Sequence, residues 1–263
     1  YLNIMTTMIN TKPIYSLLEK ITFGQGLPKT VNGVKVKLPA KYIRYFPSDY
    51  EEQNFSFLKS VCGDGAVVLD IGAHIGLFSA IAAKVTGAGG KVFAFEPAPN
   101  TIPVLHQTIR INQLGNVISP VNQAMGKDIG KITFFISDEE ADNSNSLISY
   151  KEDRKLNGVE VDVNTIDNFV ASKKLDRVDF IKIDVEGAEF DTVRGGIEVF
   201  KKFQPSFILA IHPEPIEKKG DKLADIYDFL LSLNYNITYN NKFISRETFC
   251  ANKDLIDLHL IPA

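Results

Sequence analysis

The chain has little cysteine, little net charge and no long apolar run. Its two cysteines, Cys62 and Cys250, lie far apart and match no metal-ligand spacing, which excludes a disulfide framework or a zinc site built from cysteine. They are read as buried free thiols. With 29 Lys and Arg against 32 Asp and Glu, a formal charge of -3, the bulk electrostatics point to neither a nucleic acid nor an acidic membrane. A local basic cleft is invisible to such an average. No stretch approaches the ~20 apolar residues of a membrane span, and no basic stretch leads into an apolar one at the start. The reading is a soluble, cytoplasmic protein without a membrane span or nucleic-acid partner. The chain opens on Tyr1, so its first residues are read as a remnant or a cut from something longer. Repeats and low-complexity tracts are absent. Asn-x-Ser/Thr triplets at Asn54 and Asn236 fall in an expected helix and an expected strand and are read as chance matches.

What is present is a globular composition. Over 263 residues, 44% are hydrophobic and 23% charged, which excludes disorder and suffices for a core that needs no staples. From Ala66 onward, short β-branched or aromatic runs alternate with helical periods, the pattern of a parallel sheet with crossover helices. Ala66–Ile71, Lys91–Phe95, Asn116–Val121, Val178–Ile183 and Ser206–Ile211 read as strands. Phe78, Ile81, Ala82 and Val85 mark one helical face, and Asn100–Asn112, Thr165–Ser172 and Asp221–Leu233 read as further helices. Lys131–Ile136 and Val159–Val163 are strand-like, and two late strands near Tyr235–Tyr239 and Ile256–Leu260 close the sheet. The first sixty residues, with an Asn-Gly hairpin at Val31–Val34 and a helix over Tyr50–Val61, read as a small cap (1–60) on a main domain (61–263). The aromatics Tyr42, Tyr45, Phe46, Tyr50, Phe55 and Phe57 are expected to pack on the sheet, with a substrate wall as the alternative.

One constellation carries chemistry. Asp70-Ile-Gly72-Ala-His74-Ile-Gly76 follows a strand and opens a helix, where open α/β sheets bind cofactors. Its spacing is not the Gly-x-Gly-x-x-Gly that folds around a pyrophosphate. A cofactor with a ribose and an amine but no phosphate fits better, and S-adenosylmethionine is the common one. Glu96 ends the next strand, 20 residues beyond Gly76, where a carboxylate accepts both ribose hydroxyls. The bland alternative, glycines for packing and Asp70 as a helix cap, explains each piece but not their order.

Val68–Gly76, Phe95-Glu-Pro97 and above all Ile181-Lys-Ile-Asp-Val-Glu-Gly-Ala-Glu189, followed by Gly195-Gly196, resemble the FkbM-type S-adenosylmethionine-dependent methyltransferases over roughly residues 51–213. The resemblance implies the class I, Rossmann-like methyltransferase fold: a mostly parallel seven-stranded sheet, helices on both faces, one antiparallel strand in the last hairpin. It also implies O-methylation of hydroxyls on sugars, polyketides or related metabolites. By the same resemblance, Asp70, Gly72 and Gly76 hold the methionine moiety, with Ser79 near its carboxylate and His74 where the family usually has Asn. Glu96, beside Pro97, binds the ribose, the Asn122–Ala124 segment borders the adenine, and Asp184 stands beside the transferable methyl group.

Methyl transfer to an alcohol needs alignment and removal of a proton. Asp184, Glu186, Glu189 and His212 are the candidate bases. Lys182 shares a strand face with Asp184 and is expected as its ion-pair partner. Glu189 is expected to cap the following helix, and a fixed loop held by Pro213 and Pro215 is the alternative to a functional His212. Asp184, Glu186 and His212 gathering a divalent cation is a further alternative. So are an NAD-linked oxidoreductase, which the missing pyrophosphate loop disfavours, and a non-catalytic S-adenosylmethionine-binding module. The acceptor, a small molecule or carbohydrate, is expected among the cap, the 137–158 connection and the segment after His212. The polar run Asp142–Ser146 mildly favours a hydroxyl-rich ligand.

Overall fold

The computed structural model describes residues 12–137 and 156–263. The Asp142–Ser146 run and most of the 137–158 connection lie outside the described residues. The N-terminal part comprises α1 (Lys12–Ile21), the hairpin β1 (Leu27–Val31) and β2 (Val34–Leu38), a 3-10 turn (Ala40–Tyr45) and α2 (Glu52–Val61). Asn32 and Gly33 both have positive φ and close the hairpin with Val31 opposite Val34, as the Asn-Gly signal predicts.

The rest runs β3 (Val67–Ile71), α3 (Leu77–Thr86), β4 (Lys91–Phe95), α4 (Ile102–Ile111), β5 (Ile118–Val121), β6 (Ala124–Met125), β7 (Gly130–Ser137), β8 (Leu156–Asn164), α5 (Ile166–Ser172) and β9 (Phe180–Ile183). Then come α6 (Glu189–Arg194), α7 (Ile197–Phe203), β10 (Ser206–Ile211), α8 (Pro213–Lys219), α9 (Leu223–Ser232), β11 (Tyr235–Tyr239), β12 (Lys242–Phe243), α10 (Arg246–Ala251) and β13 (Ile256–Pro262). The main sheet has the order β12-β11-β13-β10-β9-β3-β4-β5. Strands β10, β9, β3, β4 and β5 are parallel, and β13 runs antiparallel to both β10 and β11. The expected seven strands become eight because two-residue β12 folds back on β11 across Asn240 and Asn241, both at positive φ. Strands β6, β8 and β7 form a separate three-stranded sheet.

Each face of the main sheet is buried, so its central strands are apolar on both sides. Val67, Leu69 and Ile71 of β3 join one apolar cluster with α5, α7 and α9, while Val68 joins the other with α3 and α4. Asp70 and Lys182 interrupt that second face. They are register partners across β3 and β9, and period-two alternation puts them on the side of Val68 and Phe180, facing α3. Cap residues Val31, Leu38, Tyr42, Phe46, Phe55 and Phe57 belong to the same cluster as Ile81 of α3 and Leu105 of α4. Phe55 stacks on Phe78 at 5.4 Å and Phe57 lies 5.8 Å from Phe180. Each such ring contributes roughly 1.5–3 kcal/mol on burial, enough to fix the cap on the sheet. Tyr45 alone of the expected set is exposed.

The Pro213-Glu-Pro215 stretch is a helix rather than a loop. Pro213 takes the first position of α8, where its missing N–H has no partner to lose. Cys62 is buried and its thiol is pushed up to about 12 by burial and by Asp179, whereas Cys250 is partly exposed. Among the described residues, no helix is long and apolar enough to cross a membrane.

Candidate active site

The strand order reverses between β3 and β9, and a cleft opens at the carboxyl ends of the strands beside that switch point. Counted out to its mouth, with the open solvent there included, it encloses about 1080 Å³. Gly72 to Ile75 after β3, Glu96 and Pro97 after β4, Gln123 to Met125 after β5, and Lys182, Asp184 and Glu186 around the end of β9 line it. Phe46, Tyr50, Glu51 and Phe55 of the cap and Phe134 of β7 complete the wall.

Of the expected site residues, Gly72, His74, Glu96, Pro97, Ala124, Lys182, Asp184 and Glu186 thus meet in one cleft. Asp70, Gly76, Ser79, Asn122 and His212 stand behind its lining. Asp70 is fully buried, its Oδ2 accepting from Ser79 Oγ while Oδ1 has no hydrogen-bond partner. Burial raises its pKa to about 6, against the opposing pull of Lys182 and Ser79. Asn122 donates to the carbonyls of Glu96 (2.8 Å) and Pro97 (3.1 Å), bracing the loop that carries Glu96. The close approach that Gly72 permits is to the β9 side, since a Cβ there would lie 1.8 Å from the Asp184 carbonyl oxygen.

Glu96 is held from two sides. Its Oε2 accepts the His74 N–H and its Oε1 the Ala98 N–H, each at 2.9 Å. Burial nevertheless raises its pKa to about 7, because these two bonds offset only part of the lost hydration.

Across the cleft, the ion pair expected from strand periodicity is present, with Lys182 Nζ 2.7 Å from Asp184 Oδ2. Burial pushes the Lys182 pKa down, but Asp184, Glu51 and Asp70 outweigh it and the net shift is upward. Burial works against the Asp184 carboxylate, yet Lys182 and His212 hold it below the usual range. His212 Nε2 is 3.8 Å from Asp184 Oδ1, and its Nδ1 is 2.7 Å from Glu189 Oε1. These carboxylates overcome the effect of burial and raise the His212 pKa to about 9. Glu189 does not cap α6 through its side chain. Both its oxygens instead accept the Gly187 N–H, and one also meets His212. Asp184, Glu186 and His212 do not converge on a common point as metal ligands: among the described residues no group of three or more His, Cys, Asp or Glu is placed to hold a metal ion.

Phe46, Tyr50 and Phe55 pack in or against the core cluster, as expected, and also border the cleft; Glu51 is the lining residue that the sequence does not mark. The only local signal at Glu51 is its place at the start of a helix, which is silent about what lies across the fold.

A parallel sheet with this order, an antiparallel β13 and a cleft at the β3 switch point define a class I methyltransferase fold. A protein of Clostridium thermocellum whose structure bears the provisional name rRNA-methylase has that fold, with TM-score 0.50 and 12% identity over 80% of this chain and 93% of its own. The chain belongs to the FkbM methyltransferase domain family, whose profile matches residues 70–237. It is 26% identical over 148 residues to Methyltransferase 1 of Beauveria bassiana (strain ARSEF 2860), covering 50% of this chain and 59% of that protein. It is 27% identical over 188 residues to Methyltransferase sdnD of Sordaria araneosa, covering 58% of this chain and 72% of that one.

Proposed function

We infer that this chain binds S-adenosylmethionine in the cleft and transfers its methyl group to a hydroxyl oxygen of a small-molecule or carbohydrate acceptor. The observation that carries this reading is the pairing of two prepared carboxylates on opposite walls. Glu96 is aimed by two backbone N–H groups, and Asp184 is kept ionised by Lys182 and His212.

The residues fit the cofactor. Glu96 keeps lone pairs beyond its two backbone bonds for the ribose hydroxyls. Asp70 puts a further carboxylate behind the glycine turn, its Oδ1 without a donor, which favours a cationic group in front of that turn. Gln123, Ala124 and Phe134 offer a partly apolar border for the base. Bound S-adenosylmethionine supplies a methyl carbon on a positively charged sulfur. The chain then has to align the acceptor and receive its proton. Asp184 accepts the proton of the acceptor hydroxyl, leaving the electron pair on the oxygen that bonds the methyl carbon, and Lys182 keeps Asp184 ionised until then. His212 is an imidazolium at neutral pH, given its pKa of about 9, so it acts as a cation that orients Asp184 rather than as the base. Glu186 lines the cleft beside them.

Two measurements test this: calorimetric binding of S-adenosylhomocysteine, and labelled methyl transfer into a panel of glycans and metabolites. With Asp184→Asn, turnover should fall about 10²–10⁴-fold, as for loss of a proton acceptor, while cofactor affinity stays within about threefold. Wild-type turnover in that variant defeats the assignment of Asp184. Tight cofactor binding with no methylated product from any acceptor supports a non-catalytic binding module instead.

A further inference from the structure

The cap supplies one wall of the cleft, and on it Glu51 is held in an unusual way. Its φ is 45°, in the left-handed region, at the N-cap of α2, although it carries a side chain. A residue keeps such a backbone where its surroundings over-determine it. Here Asn54, 2% exposed, donates from Nδ2 to Glu51 Oε2 at 3.2 Å and to Asp257 Oδ2 at 2.8 Å. The Asn54 Oδ1 in turn lies 2.8 Å from Nε2 of His259, which is itself buried and stacked on Phe57 at 4.5 Å. Tyr50 stands next to Glu51 in the cleft wall, and its ring meets Phe46 edge-on at 5.0 Å. The last strand of the sheet thus sets the position of a cap carboxylate at the cleft wall.

Charge makes this placement selective. Glu51, Glu96, Asp184 and Glu186 all line the cleft. Lys182 is the only lysine or arginine among its described lining residues, and Asp184 already engages it at 2.7 Å. An anionic group entering from the cap side meets carboxylates, and the one lysine among the described lining residues is already engaged, whereas a hydroxyl donates to them directly. Tyr50, half-buried, with Phe46 and Phe55 packed behind it, gives the cap side an aromatic border for an uncharged ring.

We propose that Glu51 and Tyr50 are the acceptor-selecting pair of this cleft: they receive the hydroxyls of an uncharged acceptor and turn away acceptors bearing phosphate or carboxylate. The proposal rests on the reading of the cleft as a methyl-transfer site, and it adds which residues choose the acceptor and by what property.

Saturation-transfer NMR on the full chain loaded with S-adenosylhomocysteine tests it without requiring turnover. The probes are myo-inositol and methyl α-glucoside against inositol monophosphate, glucose 6-phosphate and glucuronate. A neutral probe should bind wild type at least about tenfold more tightly than its anionic counterpart. Glu51→Gln should weaken neutral binding by a similar factor, and Tyr50→Phe by less, with S-adenosylhomocysteine affinity unchanged in both. Equal or tighter binding of the anionic probes overturns the proposal. So does wild-type binding of the neutral probes by Glu51→Gln, or no neutral binding by wild type. Neutral binding that depends on Glu51, with no methyl transfer to any acceptor, supports the selection and defeats the activity, so the two failures are separable.

Discussion

Glu189 and His212 form a partly buried pair, with Oε1 and Nδ1 2.7 Å apart and Glu189 wholly shielded from solvent. The pair fastens the turn after β9, through the Gly187 N–H, to the first residue before α8. It therefore couples the position of Asp184 to the protonation of His212.

That coupling predicts a specific pH dependence of stability. The folded pKa of His212, about 9, stands above its ordinary 6.5. Its contribution is therefore fully present below pH ~6.5 and is lost as pH rises through about 9, on the order of 2–3 kcal/mol for such a shift. Urea denaturation at intervals from pH 6 to pH 9.5 should show the decline. Glu189→Gln removes the charge that raises His212, so its curve should be lower at pH 6 and flatter across the window. A Glu189→Gln curve parallel to wild type contradicts the pairing.

Lys182 presents the opposite case, a buried cation serving several acids. Asp184 and Asp70 both owe part of their ionisation to it. Lys182→Met keeps much of the side-chain length but strands the carboxylates, a loss of about 3–5 kcal/mol by analogy with broken buried pairs. The loss should shrink at low pH as the carboxyls protonate. A denaturation midpoint unchanged at pH 7 counts against the role assigned here.

The parts of this site that lie on contiguous strand ends were legible in the sequence. Lys182 and Asp184 are two residues apart on a strand, and alternation alone puts them on one face. Glu96 is marked by its place at the end of the strand after the glycine turn. The Asn32-Gly33 hairpin announces itself through turn chemistry. What was not legible is tertiary. Asn54 and His259 meet across 205 residues, and no local period encodes that encounter. The cap aromatics divide by small differences of position: Phe46, Tyr50 and Phe55 pack on the core cluster and also border the cleft, Tyr42 and Phe57 pack in the core alone, and Tyr45 faces solvent. Helices α8 and α10 are short, with seven and six residues, and Pro213 serves as a helix start in α8 where a proline-held loop is the alternative reading of the sequence.

Glu96 should make cofactor binding pH-dependent. Its pKa of about 7 in the free protein lies above the ordinary 4.5, and the ribose hydroxyls need the ionised form as acceptor. Binding of S-adenosylhomocysteine should therefore strengthen as pH rises to about 7 and level off above it, with a limiting slope of about tenfold per unit on the acid side. Glu96→Gln should bind more weakly at neutral pH and lose the part of that slope due to this carboxyl. Calorimetry from pH 5.5 to pH 8 reads both effects, and an identical slope in the variant assigns the titration elsewhere.

Gly72 supplies the sharpest test of how the cleft is built. Its φ is +87° and a Cβ would lie 1.8 Å from the Asp184 carbonyl oxygen, a backbone atom that cannot swing aside. The Asp184 N–H is meanwhile bonded to the Ile71 carbonyl at 3.0 Å, so the ends of β3 and β9 are locked together at this point. Gly72→Ala must therefore separate the two strand ends that carry the site, a cost expected to exceed about 3 kcal/mol from strain and overpacking combined. Gly115 is the control, since a Cβ there meets nothing within 4 Å and its φ is not positive. Gly115→Ala should leave the melting temperature within about 2 °C of wild type, while Gly72→Ala should lower it by well over 5 °C and weaken S-adenosylhomocysteine binding. Equal melting temperatures for the two variants would mean that β3 and β9 part without penalty, against the packing described.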